Sequence, residues 1–434
     1  MSHPSRVSRR QFLTRASLAT AGAAFPAIIP RHVLGAPGSP AASDRIQIGV
    51  IGVGARGNLL IDQLPKPGQI VALADCCLSR CEEAAGRRDA KWDIYQDYRR
   101  ILDRKDIDAV IVATEDHTRV IPSIHACQAG KDVYAEKPLT LYPGEGTALV
   151  KAARKYKTVF QVGSQQRSME MNQIACKLVR EGGLGKVRLV QGINYPDSQP
   201  TPGLPEEAVP QELDWNVWQG QAAARAYNKK LRFGWMWFQD YSGGETTNWG
   251  AHGLDQIQWA LGMDHTGPVE FWPMEDPRGA AAFRYANGVE VHLDLPYPRY
   301  PRGVDEPLMG GARFTAEKGT IDIWRNNFKI DAPGIELDLP PREEIEKWRD
   351  QRALWQAEYH MGFWLECIPS RKQPNADVEI GHRSVSVAHL ANIARRLNRK
   401  IRWDPREEQV LGDQEANLLA VSRPRRKGWE LPTL

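Results

Sequence analysis

The sequence predicts two joined architectures: an α/β half built on a parallel sheet, then an α+β half carrying a large, mostly antiparallel open sheet. Three observations carry this. An apolar run of strand length, Ile46–Ile51, passes directly into a glycine-rich turn and a helical stretch. Strand-like and helix-like segments then alternate to about residue 157. From residue 158 onward strand-like segments follow one another, with a hairpin signal, Asn287-Gly288, between two of them. Alternation implies parallel strands with right-handed crossovers, whereas successive strands with tight turns imply antiparallel pairing.

The first residues belong to neither half. Ser8-Arg9-Arg10-Gln11-Phe12-Leu13 is followed by a mildly apolar, alanine-rich stretch over 16–29 and a small-residue exit at Leu34-Gly35-Ala36. That is the order of a twin-arginine signal, an address rather than a fold element. Residues 1–36 are therefore expected to engage the twin-arginine export machinery, and 37–45 to form a Pro/Gly/Ser/Ala linker. The mature protein is expected in the periplasm or another extracytoplasmic space. The segment also explains the charge: removing its five arginines from a formal net charge of +4 leaves −1. A near-neutral chain without a concentrated basic surface is not built for nucleic acid. After the N-terminus no run of eighteen or more apolar residues is present, so no transmembrane segment is expected in the mature protein.

The turn after the first strand reads Gly52-Val53-Gly54-Ala55-Arg56-Gly57 and leads into a helix expected over 58–64. A second strand, expected over 69–74, ends at Asp75. Gly52 permits the tight turn, Gly54 lets backbone approach a pyrophosphate at the helix N-terminus, and Gly57 lets helix and strand pack closely. Asp75, 23 positions after the first glycine, suits a ribose hydroxyl and repels a 2′-phosphate. The expected cofactor is NAD, with NADP disfavoured, and the expected fold is a Rossmann domain over 46–157. Ala55 and Arg56 complete the phosphate turn. An exported enzyme finds little free nucleotide, so the cofactor is expected to be tightly bound before export.

Alternation continues with a helix over 95–102, a buried strand over 107–113, a helix over 120–129 closed by Gly130, and a strand at Asp132–Ala135. Ligands of parallel sheets lie beyond the strand C-termini, which places Thr114-Glu115-Asp116-His117 and Glu136-Lys137-Pro138 at the crevice. Thr114, His117, Glu136 and Lys137 are accordingly assigned to the cofactor site.

These blocks make the chain resemble the Gfo/Idh/MocA oxidoreductases. The carriers are Ala113 to His117, Ala135-Glu136-Lys137-Pro138-Leu139-Thr140, Gly163-Ser164-Gln165-Gln166-Arg167, Ser242-Gly243-Gly244, Trp249-Gly250-Ala251-His252-Gly253-Leu254-Asp255 and Glu379-Ile380-Gly381-His382-Arg383. The resemblance spans essentially everything after the signal. It implies that Lys137 meets the reacting hydroxyl or carbonyl beside the nicotinamide, that Lys137-Pro138 can be cis, and that His252 acts with it. Lys137 and His252 are thus the catalytic candidates; an amine beside a cationic ring should have a lowered pKa, which suits proton transfer. The family pattern has aspartate four residues before this histidine, where this chain has Asn248, an amide that accepts no proton at neutral pH. Asp255, Asp240 and Tyr241 are all open as its replacement. Arg167, Tyr241, Asn248, Trp249 and Asp255 are the candidate substrate contacts. Trp235, Trp237, Trp249 and Trp259 crowd the same segment, and aromatic faces stack on sugars.

The second half, 158–434, is expected to bind substrate and to serve oligomerisation, since the resemblance implies a homo-oligomer. Its strands are expected over 187–194, 269–272, 280–285, 289–295, 312–316 and 320–324, with helices over 355–368 and 380–397 and a long surface loop over 196–210. His382 and His389 on the last helix read as structural. The six cysteines form no CxxC pair and no zinc spacing, so they read as free thiols and no metal is expected.

Three functions follow. The first is an exported NAD(P)-dependent oxidoreductase moving a hydride between bound nicotinamide and a carbinol of a sugar, cyclitol or polyol. The second, favoured by Asn248, is a redox-neutral NAD-dependent glycosidase or lyase working through transient sugar oxidation. The third is a non-catalytic sugar-binding relative.

Overall fold

The computed structural model describes residues 44–298, 307–341, 343–345 and 355–434. The twin-arginine segment and nearly all of the linker expected at 37–45 lie outside these residues. The rest divides into the two expected sheets.

The first is a six-stranded parallel sheet in the order β3-β2-β1-β4-β5-β6, with β1 at Ile46–Ile51, β2 at Gly68–Ala74, β3 at Asp93–Tyr95, β4 at Ala109–Val112, β5 at Asp132–Ala135 and β6 at Phe160–Val162. Helices α1 (Ala55–Asp62), α2 (Leu78–Gly86), α3 (Val120–Gln128) and α4 (Pro143–Lys155) connect them. The order runs outward in both directions from β1 and β4, so the crevice opens at their C-terminal ends. Two expectations shift here. Residues 93–95 pair with β2 as a short strand, and the helix expected over 95–102 is confined to Arg99–Leu102. The sheet also continues beyond residue 157 into β6, which pairs with β5.

A parallel sheet must be covered on both faces. One face is closed by α3 and α4 through Val110, Val112, Ile124, Leu149 and Phe160. The other is closed in part by α7 (Trp355–Ser370), whose Met361, Trp364 and Leu365 pack with Ile48, Val50 and Tyr134. A helix some two hundred residues downstream therefore completes the nucleotide half. No local pattern in either segment announces that pairing.

The second sheet has nine strands in the order β13-β12-β11-β7-β10-β9-β8-β14-β15. They are β7 (Val187–Ile193), β8 (Glu270–Pro273), β9 (Ala281–Arg284), β10 (Glu290–Leu295), β11 (Ala312–Ala316), β12 (Gly319–Trp324), β13 (Asn327–Asp331), β14 (Ile401–Asp404) and β15 (Gln409–Leu411). All pairs are antiparallel except β7 with β10. Alternate residues such as Val190, Val291, Phe314, Ile321 and Ile323 are fully buried in one core with helices α5 (Glu170–Arg180), α6 (Glu245–Ala260) and α8 (Val378–Leu397). Full burial of such a side chain is worth about 1.5–3 kcal/mol. Gln191, His292, Arg313 and Asp322, of opposite parity on the same strands, are only partly buried.

Helix α8 is capped by Asp377, whose carboxylate accepts from Glu379 N at 3.0 Å. It ends at Asn398 in the left-handed region (φ 47°). His382 and His389 both lie on it and are buried. One pairs with Glu408 at 2.7 Å, and the other meets the Thr140 carbonyl at 3.1 Å. All six cysteines are free, and five of them are buried.

Candidate active site

The glycine turn forms because its glycines sit where side chains do not fit. Gly52 has φ +90°, and an added Cβ would lie 2.7 Å from the Ala113 carbonyl carbon; at Gly57 it would lie 2.1 Å from Gly52 O. Gly54 is different: an added Cβ would meet only Arg80 Nη1, at 3.9 Å, so this backbone faces open space. Gly54 caps α1 without a side-chain hydrogen bond, which leaves first-turn amides free for an anion. Asp75 braces the turn, accepting from Val53 N at 2.7 Å and Cys77 N at 2.9 Å. Burial raises its pKa, against the pull of Arg80, 3.8 Å away. The turn, the helix amides and the carboxylate together fit a dinucleotide.

The crevice above the turn holds about 480 Å³ and is lined from both halves of the chain. From the Rossmann side it is lined by Gly52, Gly54, Ala55, Arg56, Asp75, Thr114, Glu136 and Lys137. From the second half come Asn248, Trp249, His252 and Arg325. Gly57 packs beneath the turn, as its spacing predicts.

Glu136 is the fixed anion of the centre. Its carboxylate accepts from Arg56 Nε at 2.7 Å, Gln165 Nε2 at 3.1 Å and Lys137 N at 3.2 Å. Burial alone would raise its pKa, but Arg56 and Lys137 outweigh that and hold it below the usual carboxylate range. Lys137 follows on a cis peptide to Pro138 and donates from Nζ to Asn248 Oδ1 at 2.7 Å. Burial lowers Lys137 to about 8; Glu136 and Asp116 resist the shift, while Arg56 and Arg325 add to it. The low pKa thus exists without any cofactor charge.

Asn248 and His252 stand one turn apart on α6 and point into the same space. Asn248 Nδ2 donates to Glu245 Oε2 at 3.1 Å, which turns its oxygen toward Lys137. His252 lies edge-on to Trp249 with ring centroids 5.9 Å apart. Burial, followed by Arg325 and Lys137, lowers its pKa well below the ordinary value, so it is a neutral imidazole.

Four assigned residues lie elsewhere. His117 is fully buried against Trp218 and Tyr241, with Nε2 2.7 Å from Trp218 O, and touches no part of the crevice. It is a core histidine because the chain turns inward after Asp116. Tyr241 is its neighbour in that cluster and does not line the crevice. Arg167 and Asp255 bind each other: Arg167 Nε lies 2.9 Å from Asp255 Oδ2, and Nη2 lies 2.8 Å from Asp264. Ser384 donates to Asp255 at 2.6 Å. Both charges are buried and mutually satisfied, so Asp255 does not replace the missing aspartate. Asp240 does not either, being paired with Arg225 at 2.8 Å. Trp237 is exposed and Trp259 packs over Arg167 (5.3 Å), whereas Trp235 and Trp249 line the crevice.

Asp116, Glu245, Gln165 and Arg325 were not singled out. Asp116 is buried, accepts from Ser242 Oγ at 2.8 Å, and is raised to about 6 by burial against the pull of Arg119, Ser242 and Lys137. Its signal was its place in the strand-end block with Thr114. Glu245 was legible as the carboxylate three residues before Asn248 on a helix. Arg325 had no motif at all. Among the described residues no cluster of His, Cys, Asp or Glu could hold a metal, and no helix is long and apolar enough to cross a membrane.

Residues 46–164 match the model of an oxidoreductase family with an NAD-binding Rossmann fold. Residues 191–294 and 323–431 match the C-terminal alpha/beta domain of that oxidoreductase family. The chain is 24% identical over 172 residues to inositol 2-dehydrogenase of Salmonella paratyphi B, covering 39% of this chain and 50% of that one. It is 31% identical over 248 residues to levoglucosan dehydrogenase of Pseudarthrobacter phenanthrenivorans, covering 56% and 55%. The matches therefore span about half the length of these relatives. The fold is shared with the WlbA dehydrogenase of Bordetella pertussis, solved with NADH and UDP-GlcNAcA, at a TM-score of 0.63 and 19% identity, covering 84% of this chain and 99% of that one.

Proposed function

The chain belongs to the Gfo/Idh/MocA oxidoreductase family, and from that premise we propose that it oxidises a carbinol of a sugar, cyclitol or related polyol with bound NAD. The observation that carries the reading is the half-buried Lys137 amine, lowered to about 8 and held by Asn248 in a crevice that also holds the glycine turn. NAD, when bound, supplies the hydride acceptor. The α1 amides hold its pyrophosphate, and Asp75 takes a ribose hydroxyl, which favours NAD over NADP. Lys137 in its neutral form receives the hydroxyl proton, Asn248 orients the amine, and neutral His252 hydrogen-bonds the same oxygen. Trp249 and Trp235 offer faces to the sugar ring.

The cofactor is held tightly in this reading. Val217, Trp218 and Gln221 from the second half, with Trp429 of the tail, line the cavity beside Asp75 and Thr114. That wall is tied down where Asp214 N donates to Cys76 O at 2.8 Å. Export by the twin-arginine route, supported by Ser8-Arg9-Arg10-Gln11-Phe12-Leu13, fits an enzyme that carries its nucleotide with it. Self-association is assigned to the sheet face bearing Gln191, His292, Arg313 and Asp322.

The test is to denature purified protein, identify the released nucleotide, and then offer sugars, polyols and glycosides to the intact protein. Net NADH formation from a free sugar or polyol is the expected result, and Lys137→Ala should lower turnover by about 100- to 10,000-fold with NAD still bound. Glycoside cleavage without net NADH would favour the redox-neutral reading, for which Asn248 is the supporting feature. Undiminished turnover in Lys137→Ala would remove the proposed chemistry.

A further inference from the structure

We propose that Arg325 is the docking point for a carboxylate on the substrate, so that the preferred substrate is a sugar acid rather than a neutral sugar. The inference rests on the dehydrogenase reading and names its substrate class.

Among the described residues, Arg325 is the crevice arginine without an anion of its own. Arg56 has Glu136, Arg80 lies 3.8 Å from Asp75, and Arg119 has Asp116. Beneath the crevice Arg167 has Asp255 and Asp264. Arg325 makes no ion pair with any described residue, and its Nε is sealed from solvent with no hydrogen-bond partner. Its guanidinium carbon stands 5.2 Å from the Trp249 ring centroid, and it lines the same space as Lys137, Asn248 and His252. Leaving a half-buried guanidinium with its Nε sealed and unpaired is costly unless a ligand completes it. Consistent with that cost, burial and the nearby Arg56 lower its pKa to about 10.

The position is built, not incidental. Arg325-Asn326 is the two-residue loop between β12 and β13, where Trp324 pairs with Asn327. Fully buried Asn172 clamps that loop from both sides, donating to Trp324 O at 2.9 Å and accepting from Asn326 N at 2.7 Å. Asn326 is itself left-handed (φ 48°) and accepts from Met171 N at 3.3 Å. The loop thus carries the charge into the crevice on a rigid support, as recognition requires.

Two further points fix the ligand. Arg325 comes from the second half of the chain, and the α1 N-terminus already accounts for the nucleotide phosphates, so its partner is assigned to the substrate. Among the crevice arginines one is left uncompensated, and Glu136 and Asp116 stand near it, a balance that suits a monoanion and repels a dianionic phosphate. A planar carboxylate also matches the guanidinium fork. In the oxidation the C–H hydride passes to the nicotinamide and the hydroxyl proton to Lys137. The carboxylate neither gains nor loses electrons.

The experiment titrates NAD-loaded protein by calorimetry with uronates and aldonates, their neutral parent sugars and a hexose phosphate, and repeats this on Arg325→Met and Arg325→Lys. At least one acid should bind about 100-fold tighter than its neutral parent. Arg325→Met should erase that preference, Arg325→Lys should keep part of it, and NAD affinity should be retained in both. No acid outbinding its parent, a preference surviving Arg325→Met, or tighter binding of the phosphate would each overturn the proposal. An acid that binds through Arg325 but yields no NADH would leave the docking point standing and defeat the dehydrogenase reading instead.

Discussion

The two walls of the crevice are made of different material. On the Rossmann wall the backbone forms the surface: a turn with no room for side chains at Gly52 and Gly57, open amides at α1, and one carboxylate, Asp75, bracing the turn. On the opposite wall the surface is side chains, Asn248, Trp249, His252 and Arg325, brought from a helix and a distant hairpin. The first wall depends on spacing within about thirty residues, and the second on which buried charges find partners. Arg167, beneath the crevice, and Arg325, in its wall, sharpen the contrast: the first is neutralised by Asp255 and Asp264, the second has no ion pair among the described residues.

That comparison can be broken at three points. The largest effect is expected at Asp255→Ala, which leaves buried Arg167 with Asp264 as its remaining carboxylate and should cost about 3–5 kcal/mol in urea unfolding. NAD affinity should survive in the folded fraction. Loss of sugar binding at unchanged stability would return Asp255 to the site and dissolve the distinction between the two arginines.

A smaller effect is expected at Gly57→Ala, where the new Cβ would press on Gly52 O. Overpacking of this kind costs about 1–3 kcal/mol and should displace the turn, so nucleotide affinity should fall in equilibrium dialysis. Normal affinity would mean that the turn yields without penalty.

The smallest effect concerns pH. Lys137 must be neutral to take a proton, and its pKa is lowered to about 8, so kcat/KM for oxidation should rise with pH to about 8 and level off above it. Asn248→Asp places a carboxylate where the amide oxygen now sits 2.7 Å from the amine, which favours the charged form. The limb should move upward by about 1–3 units. A limb that stays in place would take Lys137 out of the proton transfer.

How far the sequence could be read follows the same division. The glycine turn, Asp75 and Lys137 were legible because each sits at a strand end within a local pattern, and strand ends of a parallel sheet converge by topology. His117 was misread for the same reason: it follows Thr114 and Asp116 at a strand end, but its ring turns inward to Trp218 and Tyr241. On α6, which is buried nearly all round, periodicity could not separate His252, facing the crevice, from Asp255, facing Arg167. The strands β13, β14 and β15 were missed; they extend the sheet at its two edges.

By itself, then, the sequence determined the two-sheet order, the nucleotide turn and the lysine placed beside it, since backbone conformation and strand alternation are encoded locally. Only the tertiary structure decided which buried charges cancel and which remain. Charge pairing depends on residues such as Asp255 and Asp264 reaching Arg167 across the core, and on Asn172 fixing the loop that carries Arg325. Distances of that kind exist only once the chain has folded.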